Sequence, residues 1–161
     1  MFQLTRIPPL FALAIASLAV GCGGGGSTLS KAEFIKQADA ICEKADETEL
    51  GEIGAYFRNH PKESKNVRPG APPPALVQTV AVPSLLKETD DLEALGAPKG
   101  DEETIEAFIS GIKAAIKEVE KDPESIEEDL PNGQGKNPSY AFREVNKLAR
   151  EYGFKQCNEV V

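Results

Sequence analysis

The chain has 161 residues, of which 40% are hydrophobic and 27% charged, and a formal net charge of −8. That length suits one domain with enough apolar residues for a core, and 18 Lys and Arg against 26 Asp and Glu leave no surplus to neutralise nucleic-acid phosphates. One His, no Trp and three Cys exclude most chemistry built on His or Cys clusters.

Residues 1–21 read as an address. Arg6 precedes an apolar run from Leu10 to Val20 interrupted only by Ser17, too short to cross a bilayer core of about 30 Å as a helix. A charged start, a short apolar stretch and small residues at its end are the layout of a secretory signal peptide. Leu18-Ala-Val-Gly-Cys22 resembles the lipobox of bacterial lipoproteins. That resemblance implies cleavage before Cys22 and attachment of diacylglycerol and palmitate chains to it. Ala19 departs from the commoner Leu, while Gly21 fits the position beside the cut. The alternatives are a secreted protein without lipid and a retained signal anchor. Residues 22–29, with Gly23 to Gly26, form a flexible tether, whose seven residues after the cysteine reach at most roughly 25 Å. An acidic domain held that close to an anionic surface is repelled by it, so the lipid is what keeps it there. This places the protein on the extracytoplasmic face of the cell membrane, with residues 30–161 as the folded domain.

With Cys22 lipidated, Cys42 and Cys157 remain in an oxidising setting, and an even remainder there reads as a disulfide. In the chain-entropy model so long a loop is worth roughly 4–5 kcal/mol. The alternative is a buried free thiol at Cys42 on an apolar helix face.

Four helices follow in order. Ser30-Lys-Ala-Glu33 is a capping box, and Phe34, Ile35, Ala38, Ile41, Cys42, Ala45 and then Ile53, Tyr56 and Phe57 recur at helical spacing. Gly51 and Gly54 predict a late bend, and Pro61 ends the helix at His60. The stretch 61–74 holds five prolines and reads as a loop. A second helix spans about Ala75 to Leu95, with Leu76, Val77, Val80, Leu85, Leu86, Leu92 and Leu95 inward. Pro83 predicts a kink or a fresh start within it. Gly96 and Pro98 stop it. The third helix begins with Asp101 as cap, and Ile105, Phe108, Ile109, Ile112, Ile116 and Val119 form the cleanest apolar stripe. It ends at Asp122-Pro123, and the loop 123–137 follows. The fourth opens with Asn137 as cap and Pro138 at its first position. Phe142, Val145, Leu148, Ala149 and Tyr152 face inward, and Gly153 is placed for a left-handed cap.

These elements predict an all-α fold, an antiparallel (up-down-up-down) four-helix bundle with a kinked second helix. The cysteine pair fixes the direction of the last helix. Were it parallel to the first, Tyr152 would lie near His60, about 27 Å from Cys42, beyond the roughly 17 Å that five linking residues stretch.

No catalytic constellation is visible. A bundle that holds haem or iron needs inward His, Met or Glu-x-x-His ligands, but the single His60 lies beside Pro61. No His on a core face serves Ser27, Ser30 or Ser139 as a base. The acidic groups Asp90-Asp91, Asp101-Glu-Glu103 and Glu127-Glu-Asp129 lack an EF-hand pattern and read as solvated faces. The expectation is therefore no cofactor, no metal and no enzyme.

Leu29-Ser-Lys-Ala-Glu-Phe-Ile-Lys-Gln-Ala-Asp-Ala-Ile-Cys42, the Val82-Pro-Ser-Leu85 step and Ala149-Arg-Glu-Tyr-Gly-Phe-Lys-Gln-Cys157 carry a wider resemblance. In these the chain is similar to small uncharacterised lipoproteins of high-GC Gram-positive bacteria. The resemblance implies localisation, helical fold and cysteine pairing, and contributes no catalytic residue. The functional expectation is a membrane-anchored, non-enzymatic interaction or binding domain, acting through helix faces or the 61–74 and 123–137 loops. A small-ligand or lipid carrier with a cleft between helices, beside Pro83, is the alternative.

Overall fold

The four longer helices of this chain each bury one face. The computed structural model describes residues 29–65, 72–123, 128–129, 136–137 and 140–158. The expected signal peptide (1–21), Cys22 and the tether up to residue 28 lie outside the described residues, as do Pro138 and Ser139. The described chain is helical apart from a two-residue antiparallel ladder.

Helix α1 (Lys31–Asn59) opens on the expected capping box. Ser30 Oγ accepts from the Glu33 N–H at 3.3 Å and the Glu33 carboxylate accepts from the Ser30 N–H at 2.9 Å. The side-chain and backbone hydrogen bonds from Ser30 hold the Glu33 carboxyl below the usual carboxylate range. The helix runs unbroken through Gly51 and Gly54 to Asn59. Its buried residues are Phe34, Ala38 and Cys42 near the start and Tyr56 near the end. The first three join the main core, whereas Tyr56 packs with Leu76 and Val80 in a second, smaller cluster. Between them α1 presents a polar middle. A single turn, α2 (Pro61–Ser64), occupies the start of the stretch read as loop, Pro61 supplying a preset first position.

The second predicted helix is α3 (Pro74–Leu76), a π turn (Val77–Ala81) and α4 (Val82–Ala94) in direct succession. Pro83 has no N–H to donate and its ring crowds the preceding turn. The fresh start is found: α4 begins at Val82 with Pro83 in its first turn. The turn before it widens, and the Val82 N–H reaches Val77 O, five residues back. Val77, Val80, Ala81 and Val82 are all buried. Leu86, expected inward, is 41% exposed, and Thr89, not expected there, is buried. The wider turn shifts the inward face by a fraction of a turn, and Thr89 Oγ1 satisfies itself on Leu85 O at 2.6 Å.

Helix α5 (Glu102–Lys121) buries its predicted stripe together with Ala115. Asp101 stands at its cap position, yet makes no side-chain capping bond. Its carboxylate accepts instead from the Tyr152 hydroxyl at 2.7 Å, and Glu102 takes the Gly100 N–H at 2.7 Å. Strands β1 (Glu128–Asp129) and β2 (Lys136–Asn137) form the ladder, with Asn137 opposite Glu128. Asn137 is therefore not a helix cap, as the sequence suggested. A 3₁₀ turn (Tyr140–Phe142) leads into α6 (Arg143–Tyr152), and it places Phe142 fully in the core.

The end of α6 lies on the start of α1. Gly153 closes α6 with φ 111°, in the left-handed region, and both its N–H and that of Phe154 bond Ala149 O at 3.1 Å. Phe154 then stacks within 5.1 Å of Tyr152 and of Phe108 and 6.1 Å of Phe34, and Lys31 Nζ sits 4.0 Å over the Tyr152 ring. Burial and the hydrogen bond to Asp101 push the Tyr152 hydroxyl well above the usual tyrosine range.

Gly111 marks the closest approach of α5 and α6, since a Cβ there would lie 2.9 Å from Val145 Cγ2. Gly51, with open space around it, sits in the exposed middle of α1. Gly111→Leu is thus expected to destabilise the domain by about 1–3 kcal/mol, and Gly51→Ala to stabilise it by about 0.5–1 kcal/mol. Chemical denaturation measures both.

Candidate functional site

The polar middle of α1 faces the first half of α4, and there the sequence's separate signals converge. Cys42 and Cys157 form a disulfide with Cα atoms 5.4 Å apart, inside the usual span for such a bridge. It closes a separation of 115 residues, and the two cysteines are only 2% and 1% exposed. Beside it Asp39, one turn before Cys42, receives three backbone donors. The N–H groups of Lys155 and Gln156 reach its Oδ1 at 2.9 Å and that of Cys157 at 3.4 Å. A carboxylate gathering successive N–H groups is a strong, charge-assisted contact, and here it fixes the turn that delivers Cys157.

Glu88, on α4, completes the junction. Its carboxylate and the two sulfurs all lie within 4.8 Å of one another. Glu88 also lines a groove of about 300 Å³ between α1 and α4, with Ile41, Lys44, Ala45, Ser84 and Lys87 among the walls. Burial, then the charges of Asp46 and Glu49, push the Glu88 carboxyl up to about 7. Glu49 is also raised by burial, partly offset by a hydrogen bond from Ser84, and burial raises Asp46. Three carboxylates from two helices thus lie near one another, and Glu88 among them lines the groove. Lys87 is engaged with Asp91 on the rim. Pro83 and the π turn stand at the upper end of this face, directly before Ser84.

A second groove of about 340 Å³ lies between α4 and α5, walled by Ile105, Glu106 and Ile109, with Lys113 reaching Glu93 at 2.6 Å alongside it. Both grooves are open to solvent. The other candidates are occupied by packing. His60 stacks on Tyr56 at 4.2 Å with its Nδ1 2.9 Å from the Tyr56 carbonyl, and Tyr56 donates to Glu63 at 2.6 Å. Of the acidic groups, Asp91 pairs with Lys87 and Asp101 with Tyr152, and the side chains of 127–129 lie outside the described residues. Cys22 lies outside them as well.

Sequence reasoning paired Cys42 with Cys157 but missed Glu88 and Asp39. Neither belongs to a motif, and only the third dimension sets both against the cysteines. The signal available was slight: Asp39 lies one helical turn from Cys42, on nearly the same face. Family models, curated proteins and solved structures contain no match to this chain.

Glu88 holds its proton more tightly in the folded chain than in the unfolded one. Its contribution to stability is therefore full below pH 4.5 and is lost as pH rises through about 7. Asp46 and Glu49 act in the same direction. With the disulfide intact, Glu88→Gln is expected to gain on the order of 2 kcal/mol over the native chain at pH 8 and to flatten the fall between pH 5 and 8. Denaturant melts across that range measure it. Asp39→Ala, which strands three N–H donors, is expected to cost about 2–3 kcal/mol by the same assay.

Proposed function

We propose that this chain is a membrane-anchored extracytoplasmic lipoprotein whose helical domain works as a non-enzymatic interaction or binding module. Residues 1–21 are its signal peptide, Cys22 carries the lipid, residues 22–29 are the tether, and 30–161 the domain. The observation that carries this reading is the buried Cys42–Cys157 disulfide. A bridge of that kind belongs to an oxidising compartment, and it uses both cysteines of the domain, leaving Cys22 for another purpose. The acyl chains at Cys22 supply the two hydrophobic signals that stable anchoring takes.

Within the domain we read an up-down-up-down arrangement of α1, the α3–α4 helix, α5 and α6. The contacts of Tyr152 and Phe154 with Phe34 and Lys31, and of residues 155–157 with Asp39, support it, since they bring the end of α6 to the start of α1. In this orientation the tether leaves from the end holding Ser30, Asp101 and Gly153. The α1–α4 groove lies along the side of the bundle, open to a partner. The resemblance in the Leu29–Cys42 and Ala149–Cys157 segments agrees with this assignment. A small-ligand carrier is the second reading, favoured by that same groove, whose roughly 300 Å³ next to Pro83 suits a small molecule rather than a lipid chain.

Cys22→Ala is expected to move the protein from the membrane fraction to the soluble exported fraction. Retention of the variant in membranes overturns the anchor. For the groove, Ala45→Trp fills the space while leaving the core intact. Loss of a co-purified small molecule from the Trp variant, seen by native mass spectrometry, supports the carrier reading, and identical spectra contradict it.

A further inference from the structure

The junction of α1, α4 and the C-terminal turn holds more than a staple. We propose that Cys42, Cys157 and Glu88, once the disulfide is reduced, form a binding site for one divalent cation of the zinc type. The inference rests on side-chain placement alone and is independent of the tether.

The donor set comes first. Two thiolates and a carboxylate suit a borderline-soft ion such as Zn²⁺, whereas Mg²⁺ and Ca²⁺ prefer all-oxygen cages. Geometry is second. Donors on one zinc stand about 3.5 Å apart, as bonds of about 2.3 Å to sulfur and 2.1 Å to oxygen require. The Glu88 oxygen lies within 4.8 Å of both sulfurs, which are bonded to each other in the disulfide. The released sulfurs have to part by only about 1.5 Å, and the carboxylate to close in by about 1 Å; side-chain rotation covers both. Support is third. Cys42 is held within α1, and Asp39 pins the turn bearing Cys157, whose sulfur lies 3.3 Å from the Ala38 carbonyl. Neither anchor includes the S–S bond itself. Access is fourth, because Glu88 forms part of the groove wall. Entry past Glu88 to the buried sulfurs, with a water as the fourth ligand, is part of the proposal.

The chemistry balances with a dithiol as reductant. Its thiolate attacks one cysteine sulfur, the S–S bond breaks, and the other cysteine leaves as a thiolate that takes a proton. The second thiolate of the dithiol then attacks the mixed disulfide. The second cysteine is released as a thiol and the reductant departs as a cyclic disulfide, having supplied two electrons. Binding of the cation displaces the two thiol protons to solvent. Covalent bridge and metal are therefore alternatives at one place: each ties α1 to the C-terminal turn, and the metal adds α4 through Glu88.

The test uses the full chain carrying Cys22→Ser, so that Cys42 and Cys157 are its only thiols. The chain is reduced anaerobically with a dithiol, freed of it, and titrated with Co²⁺ and then Zn²⁺. Expected are a thiolate-to-cobalt charge-transfer absorption that saturates at one equivalent, its loss on adding Zn²⁺, and no band from the oxidised chain. Glu88→Gln is expected to weaken binding at least about tenfold, while Glu49→Gln keeps the band. Should the reduced chain lose helix in far-ultraviolet circular dichroism, Zn²⁺ is expected to restore it. The proposal is overturned by absence of the charge-transfer band, by a band that Glu88→Gln leaves unaltered in position and affinity, or by a reduced, unfolded chain that Zn²⁺ does not refold.

Discussion

The Cys42–Cys157 junction is the constraint on which the rest of the arrangement depends, because it brings together parts of the chain that local structure alone leaves apart. The bridge closes 115 residues, and so long a loop is worth roughly 4–5 kcal/mol in the chain-entropy account. It is seated by Asp39, which collects the N–H groups of residues 155–157. It is sheltered by the aromatic group Phe34, Phe108, Tyr152 and Phe154, which packs the end of α6 over the start of α1. Covalent, ionic and apolar contacts thus act on the same few turns.

From that fixed end the long α1 projects past the main core. Only its start belongs to the large cluster; its last turns rest on the small one formed with Leu76 and Val80. The stretch between is where α1 and α4 oppose carboxylates rather than apolar side chains. A polar seam between two helices costs burial energy, and the raised Glu88 carboxyl registers that cost. Such a seam invites occupation by something other than core, which is why the groove, the proposed binding role and the proposed metal site meet there.

How much of this was legible in the sequence follows from which interactions are local. The capping box at Ser30, the α5 stripe, the left-handed Gly153 and the end of α1 before Pro61 are set by residues within one or two turns of each other, and periodicity exposes them. Pro83 announced a fresh helix start, which α4 makes at Val82, but not the π turn that precedes it among the buried Val77, Val80 and Ala81. That shift of phase put Thr89 inside and Leu86 outside. Asn137 and Pro138 carried good helix-start chemistry, yet the backbone of Asn137 is taken by the ladder with Glu128, and α6 waits until Arg143. Asp101 likewise gave up its cap for Tyr152, 51 residues away. Glu88 and Asp39 were invisible for the same reason. Their partners lie far along the chain, and nothing in a solvated-looking helix face names a distant sulfur.

The arrangement therefore stands on the cysteine pairing. Peptide mapping of the exported protein by mass spectrometry, without reduction and with thiols alkylated at lysis, tests it most directly. One disulfide-linked pair of peptides is expected, containing Cys42 and Cys157, with Cys22 in neither. Alkylated Cys42 and Cys157, or a bridge from either to Cys22, would contradict it.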